Sequence, residues 1–145
     1  WKISMLQFMK GTWKYGELFT AEKFSDLMEI IPMGKGFYKI LDDNSSEEEH
    51  REAALSAFKL GIEKIKCKEY NLVVLDEILV AIQTGLIEED IVINGLENIR
   101  DNTHVILTGR GATDKLIKMA DLVTEMTEIK HPFTSGKMAL KGIDF

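Results

Sequence analysis

Two short runs constrain the fold more than anything else in the chain. Asn71–Leu75 reads NLVVL and His104–Gly109 reads HVILTG. Both are dense in β-branched residues, which suits strands buried on both faces, as in parallel sheets. Between them Val92, Leu96 and Ile99 recur at helical spacing behind the acids Glu88, Glu89 and Asp90. Acids there favour a helix N-terminus, and Asn102 reads as its stop. Upstream, KISMLQF alternates in part, with Ile3, Met5 and Gln7 facing one way. LMEIIPM is a second apolar run, where Pro32 predicts a bend or a sheet edge. Ser46 and Glu49 have the spacing of a capping box. Behind them Leu55, Phe58, Ile62 and Ile65 keep to one helical face. Thr113 is placed to cap a short helix carrying Leu116, Ile117 and Ala120. LVTEMTEI, residues 122–129, alternates and predicts a further strand nearer an edge. The alternation of strand and helix predicts an α/β fold with an open, mostly parallel sheet flanked by helices and right-handed crossovers. At 145 residues, 1–145 is read as a single domain.

The net charge of −6 argues against a non-specific nucleic-acid binder, which needs a basic surface. Asp42, Asp43, Glu47, Glu48, Glu49 and Glu52 crowd one loop and helix start, and read as a solvated face. No apolar run approaches the ~20 residues of a membrane span. No charged-then-apolar signal segment opens the chain. The lone cysteine, Cys67, excludes an internal disulfide, suits a reducing cytoplasm, and is expected as a small core residue near a helix end. The chain starts at Trp1 inside a strand-like run, so further residues are expected upstream.

Sites in open parallel sheets lie at the carboxyl ends of strands. Three polar groups fall there: Asp76-Glu77, Thr108-Gly109-Arg110-Gly111, and Gln7 with Met9, Lys10 and Gly11. Asp76 and Glu77 are hard oxygen ligands of the kind that hold magnesium beside a polyphosphate. An acidic pair closing a buried strand is equally explained by the strand meeting water. Arg110, on a Gly-flanked turn, suits bidentate capture of phosphate or carboxylate, or a structural salt bridge. GKGFYK, Gly34–Lys39, lacks the spacing and final Ser/Thr of Gly-x-x-x-x-Gly-Lys-Ser/Thr, and is rejected as a phosphate loop. Its Phe37 either covers a flat hydrophobic ligand or plugs the core. His50, His104 and His131 have no metal-ligand spacing, and KHPF reads as a loop stiffened by Pro132.

Eight motifs nevertheless occur in a telling order. They are LQFMKG at 6–11, GE at 16–17, GF at 36–37, VVLDEI at 73–78, LTGRGA at 107–112, ADLVTEM at 120–126, KHPF at 130–133 and GIDF at 142–145. Together they closely resemble the ATP:corrinoid (cob(I)alamin) adenosyltransferases, in the family whose members carry a phosphate loop near the N-terminus. The resemblance implies a P-loop NTPase fold of RecA-like type whose first strand, phosphate loop and helix lie upstream of Trp1. It implies transfer of the 5′-deoxyadenosyl group of ATP to the Co(I) of a corrinoid, releasing triphosphate, in adenosylcobalamin biosynthesis or salvage.

The site residues follow from the same resemblance. Glu77 matches the family's acid at the magnesium site, with Asp76 its neighbour. Phe37 matches an aromatic that packs under the corrin and excludes the lower axial ligand, favouring a four-coordinate Co(II) that is easier to reduce. The family usually writes this loop Gly-Phe-Thr-Trp; here it is Gly36-Phe37-Tyr38-Lys39, so either Tyr38 supplies the bulk of the absent Trp or corrinoid handling differs. Lys10 and Arg110 match family motifs as phosphate or corrinoid contacts. ATP, magnesium, a corrinoid, a cobalt-reducing electron-donor protein, a homodimer and a cytoplasmic location are the partners and setting implied. The alternatives are a generic P-loop nucleotide hydrolase fragment and a non-catalytic nucleotide- or corrinoid-binding module.

Overall fold

In the computed structural model, which describes residues 1–11, 15–36, 38–39, 43–97, 99 and 103–140, strands and helices alternate. The order is β1 (Ile3–Gln7), α1 (Gly16–Glu22), β2 (Met28–Pro32), α2 (Glu47–Lys66), β3 (Leu72–Asp76), α3 (Ile78–Gln83), α4 (Glu89–Glu97), β4 (His104–Leu107), α5 (Asp114–Met119) and a final 3-10 turn, Pro132–Ser135. The four strands make one all-parallel sheet in the order β2-β1-β3-β4. β2 is an edge strand that ends on Pro32, where a missing N–H costs no ladder bond.

In-register pairing puts Ser4 and Leu6 beside Val73 and Leu75, and these beside Val105 and Leu107. Ser4, Leu6, Val73 and Leu75 are fully buried on this face. α2 packs against it so closely that a Cβ on Gly61 would lie 2.8 Å from Leu75. α4 closes on α2 in turn: a Cβ on Gly95 would meet the Phe58 ring at 2.6 Å. The opposite face is more open. Ile3 and Met5 are only part-buried there, and Ile106 is 46% exposed. The expectation of strands buried on both faces therefore holds for β3, where Val73, Val74 and Leu75 are all buried, and fails for β4, whose Ile106 is exposed.

The Ser46–Glu49 capping box forms in full: Ser46 Oγ accepts from the Glu49 N–H and the Glu49 carboxylate accepts from the Ser46 N–H. Phe58 and Ile65 are buried, with Leu55 and Ile62 packed beside them. Thr113 caps α5 by accepting from the Leu116 N–H. Asn102 lies outside the described residues.

Two expectations fail. Residues 122–129 form no strand: Leu122, Met126 and Ile129 are 85%, 93% and 91% exposed. Alternation specifies which side chains share a face, but a strand also needs a neighbour to bond, and this segment has none among the described residues. Cys67 is exposed, because the end of α2 carries it past the core; its thiol lies 3.1 Å from the Lys64 carbonyl. No helix among the described residues is long and apolar enough to cross a membrane.

Candidate functional site at the carboxyl ends of β1, β3 and β4

From β1 the chain passes to β2 on one side, while β3 lies on the other side of β1. Connections thus diverge at the β1/β3 boundary, and such a switch point leaves a crevice at the carboxyl ends of its two strands. Gln7 and Asp76, paired in register, are the last residues of those strands. The Phe8 N–H bonds the Asp76 carbonyl at 2.9 Å and tightens the seam.

Asp76 is held from both neighbours. Thr108 Oγ1 donates to its Oδ1 at 3.0 Å, and Gln7 Nε2 approaches its Oδ2 at 3.5 Å. Gln7 is buried, and its Nε2 also donates to Glu17 Oε1 at 3.3 Å. Its Oε1 is buried with no hydrogen-bond partner among the described residues. Glu77 follows in the left-handed region, at φ 62°, a conformation uncommon outside glycine. The strand therefore turns abruptly into α3. Thr108 secures the turn, accepting from the Glu77 N–H at 2.9 Å through Oγ1 and from the Leu79 N–H at 3.2 Å through its carbonyl.

The half-buried Glu77 carboxylate has no hydrogen-bond partner among the described residues. Burial raises its pKa above the usual 4.5, and the adjacent Asp76 charge raises it further, against smaller opposing effects of Arg110 and Lys10. Two neighbouring carboxylates, one oriented by side-chain donors and the other crowded by like charge, suit a hard divalent cation that keeps several waters and shares a phosphate. Among the described residues no three His, Cys, Asp or Glu side chains form a closed metal cage.

Lys10 pairs with Glu17 and lies 4.4 Å from the centre of the Tyr15 ring. Burial would raise the Glu17 pKa, but bonds from Lys10 and Gln7 outweigh it and the net shift is downward. Arg110 is exposed and makes no ion pair among the described residues. It follows Gly109, whose φ of +130° and missing side chain let the turn rest on α3; a Cβ there would lie 2.9 Å from Leu79 Cβ.

Gly34, at the start of the next loop, lies against the same edge. A Cβ on Gly34 would sit 2.4 Å from the Phe8 carbonyl oxygen and 2.9 Å from that of Lys10. Glycine is required for this backbone-on-backbone contact. Phe37 lies outside the described residues. Tyr38 is part-buried and packs edge-on to His50 of α2, ring centres 5.0 Å apart. Lys10, Asp76, Glu77 and Arg110 are thus gathered at one edge, whereas the Tyr38 ring turns toward α2.

Sequence reasoning noted Glu17 only as part of a short motif, and missed that it joins Gln7 and Lys10. The signal was its place in the first turn of α1, ten residues after a strand end. The acidic run 42–52 is not uniformly solvated either: Asp43 is nearly covered and bonded to the buried His50. Asp42 lies outside the described residues. His104 stacks on Trp1, and His131 caps a short 3-10 turn, Pro132–Ser135, that begins on the proline of KHPF.

The family model described as ATP:corrinoid adenosyltransferase BtuR/CobO/CobP matches residues 1–145. A corrinoid adenosyltransferase of Sinorhizobium sp is 38% identical over 144 residues, covering 98% of this chain and 66% of the relative. A corrinoid adenosyltransferase of Pseudomonas aeruginosa is 35% identical, covering 99% and 70%. The corrinoid adenosyltransferase CobA of Salmonella typhimurium is 30% identical, again covering 99% and 70%. The chain spans about two thirds of the length of these curated relatives.

Proposed function

The chain belongs to the ATP:corrinoid adenosyltransferase family, and on that premise we propose that it forms part of a site that transfers the 5′-deoxyadenosyl group of ATP to a corrinoid, in adenosylcobalamin biosynthesis or salvage. The lone pair of Co(I) attacks the ribose C5′; the C5′–O bond breaks and triphosphate leaves with the bonding pair. The observation that carries this reading is the meeting of Gln7, Asp76, Glu77 and Thr108 at the β1/β3 switch point.

Asp76 and Glu77 would hold magnesium, which when bound neutralises charge on the leaving triphosphate. Thr108 and Gln7 orient Asp76 for that task. Lys10 and Arg110 contact phosphate or corrinoid; the exposed Arg110 guanidinium, without an ion pair among the described residues, suits a bidentate partner. The 145 residues contain no Gly-x-x-x-x-Gly-Lys-Ser/Thr stretch.

Phe37, beside Tyr38, covers the lower face of the corrin and keeps water off cobalt. The seat of Gly34 on the Phe8–Lys10 backbone supports this, since it brings that glycine to the same edge as the acids. Co(I) must be supplied by an electron-donor protein, and a reaction that uses ATP and Co(I) suits the cytoplasm. Exposed apolar side chains at Leu122, Met126, Ile129 and Phe133 support a homodimer. Product analysis of the full-length protein with ATP and a chemically reduced corrinoid tests the reading. Equal amounts of triphosphate and adenosylated corrinoid support it; ADP and phosphate released without need of corrinoid overturn it.

A further inference from the structure

The Tyr38–Lys39 turn is held at its backbone by the Asp43 carboxylate, while the exposed Lys39 ammonium reaches Glu47 at 3.5 Å. Asp43 Oδ2 accepts from the Lys39 N–H at 2.8 Å. Its Oδ1 accepts from the Ser45 N–H at 3.1 Å and from His50 Nε2 at 2.9 Å. His50 is almost fully buried on α2, with its side chain 3% exposed, and its ring meets Tyr38 edge-on. Lys39 stands in the left-handed region at φ 58°, which a non-glycine residue adopts only when its surroundings fix it. The bond from its N–H to Asp43 is such a constraint. None of this is needed to start α2, because Ser46 and Glu49 already cap that helix reciprocally. Asp43 and His50 therefore serve the turn before the helix, gripping it at the Lys39 backbone and at the Tyr38 ring.

We propose that Asp43 and His50 are positioning residues for the corrinoid-covering loop: they fix its Tyr38–Lys39 turn. This rests on the reading that the loop lies under the corrinoid. Neither residue touches cobalt or ATP in this account. Their effect falls on the coordination state of the Co(II) substrate and far less on the transfer step that follows.

The test is electron paramagnetic resonance of Co(II) corrinoid bound with ATP to the full-length protein, alongside transfer rates from Co(II) with a reductant and from pre-reduced Co(I). His50→Phe keeps a ring against Tyr38 and loses the bond to Asp43; His50→Gln keeps an N–H donor. Asp43→Ala, outside the helix, repeats the test should His50→Phe fail to fold. Loss of a group that holds a reacting element in place costs about tenfold or more. His50→Phe and Asp43→Ala should lower the four-coordinate fraction and the Co(II)-fed rate about that much, the Co(I)-fed rate should fall far less, and His50→Gln should recover most of the loss. Equal loss by both routes would make the pair merely structural and overturn the proposal. So would an unchanged four-coordinate fraction in both variants while Phe37→Ala abolishes it. If Phe37→Ala also leaves that fraction intact, the reading of the loop fails and the proposal falls with it.

Discussion

Thr108 and Asp76 are bonded across the carboxyl ends of adjacent strands, Oγ1 to Oδ1 at 3.0 Å. The same hydroxyl accepts the backbone N–H of Glu77 at 2.9 Å. One side chain therefore fixes both the orientation of the first acid and the left-handed turn that presents the second.

Thr108→Val keeps the shape and deletes that hydroxyl. The Glu77 N–H loses its acceptor and Asp76 its donor. An unpaired group of this kind costs about 1–3 kcal/mol, and loosening a group that orients a metal ligand costs roughly 10–100-fold. Urea denaturation and transfer assays should show both losses, and Thr108→Ser should restore most of each. Equal behaviour of the Val and Ser variants would show that the hydroxyl does not matter.

Glu77 should trade stability for function. Burial and the Asp76 charge raise its pKa in the fold above the usual 4.5, so the ionised carboxylate is disfavoured there. Above that usual value its charge subtracts stability; below it, both states are protonated and the penalty vanishes. Without metal at pH 7, Glu77→Gln should melt at a higher temperature than the native protein, and the difference should shrink as pH falls through the usual range. A lower melting temperature for the variant would contradict this.

Asp43 runs the other way. Bonds from His50 first, then from the Lys39 and Ser45 N–H groups, lower its pKa from 3.8 to about 2. Its contribution is present in full above the unfolded value and is lost as pH falls through about 2. Asp43→Asn should be less stable than the native protein at pH 7, and the two should converge between pH 3.8 and about 2. Denaturant midpoints across that range measure it; a gap that stays constant would remove Asp43 from the acid transition.

Phe37→Ala should open the lower face of the corrin to water. Co(II) then stays five-coordinate and resists reduction, and supplying Co(I) directly should rescue much of the activity. Failure of that rescue would place Phe37 in folding or in the transfer step itself.

Much of this was legible in local pattern. The runs at 72–75 and 104–107, the Ser46–Glu49 box and the Thr113 cap each carry their signal within a few residues. Pro32 marked an edge because proline cannot serve a central ladder. The carboxyl-edge site was legible too, since strand polarity alone brings Asp76, Thr108 and Gln7 to one rim. α3 was hidden because its run, Ile78–Gln83, continues the apolar composition of β3; only the left-handed turn at Glu77 separates them. The His50–Asp43 pair was hidden for another reason. A histidine inside an acidic run looks solvated until the fold buries it beneath the Tyr38 turn. The alternation at 122–129 misled because periodicity names a face and not a partner.

The central claim is that Glu77, at the β1/β3 switch point, bears on the metal that neutralises the leaving triphosphate. Its most direct test is the rate of adenosyl transfer from ATP to pre-reduced Co(I) corrinoid, measured across a magnesium titration for the full-length protein and for Glu77→Gln. Supplying Co(I) removes the reduction step from the comparison. Losing one preorganised electrostatic contact costs about 10²-fold or more, so the account predicts a deficit of that order that persists at saturating magnesium. Near-normal turnover of Glu77→Gln at saturating magnesium would contradict it.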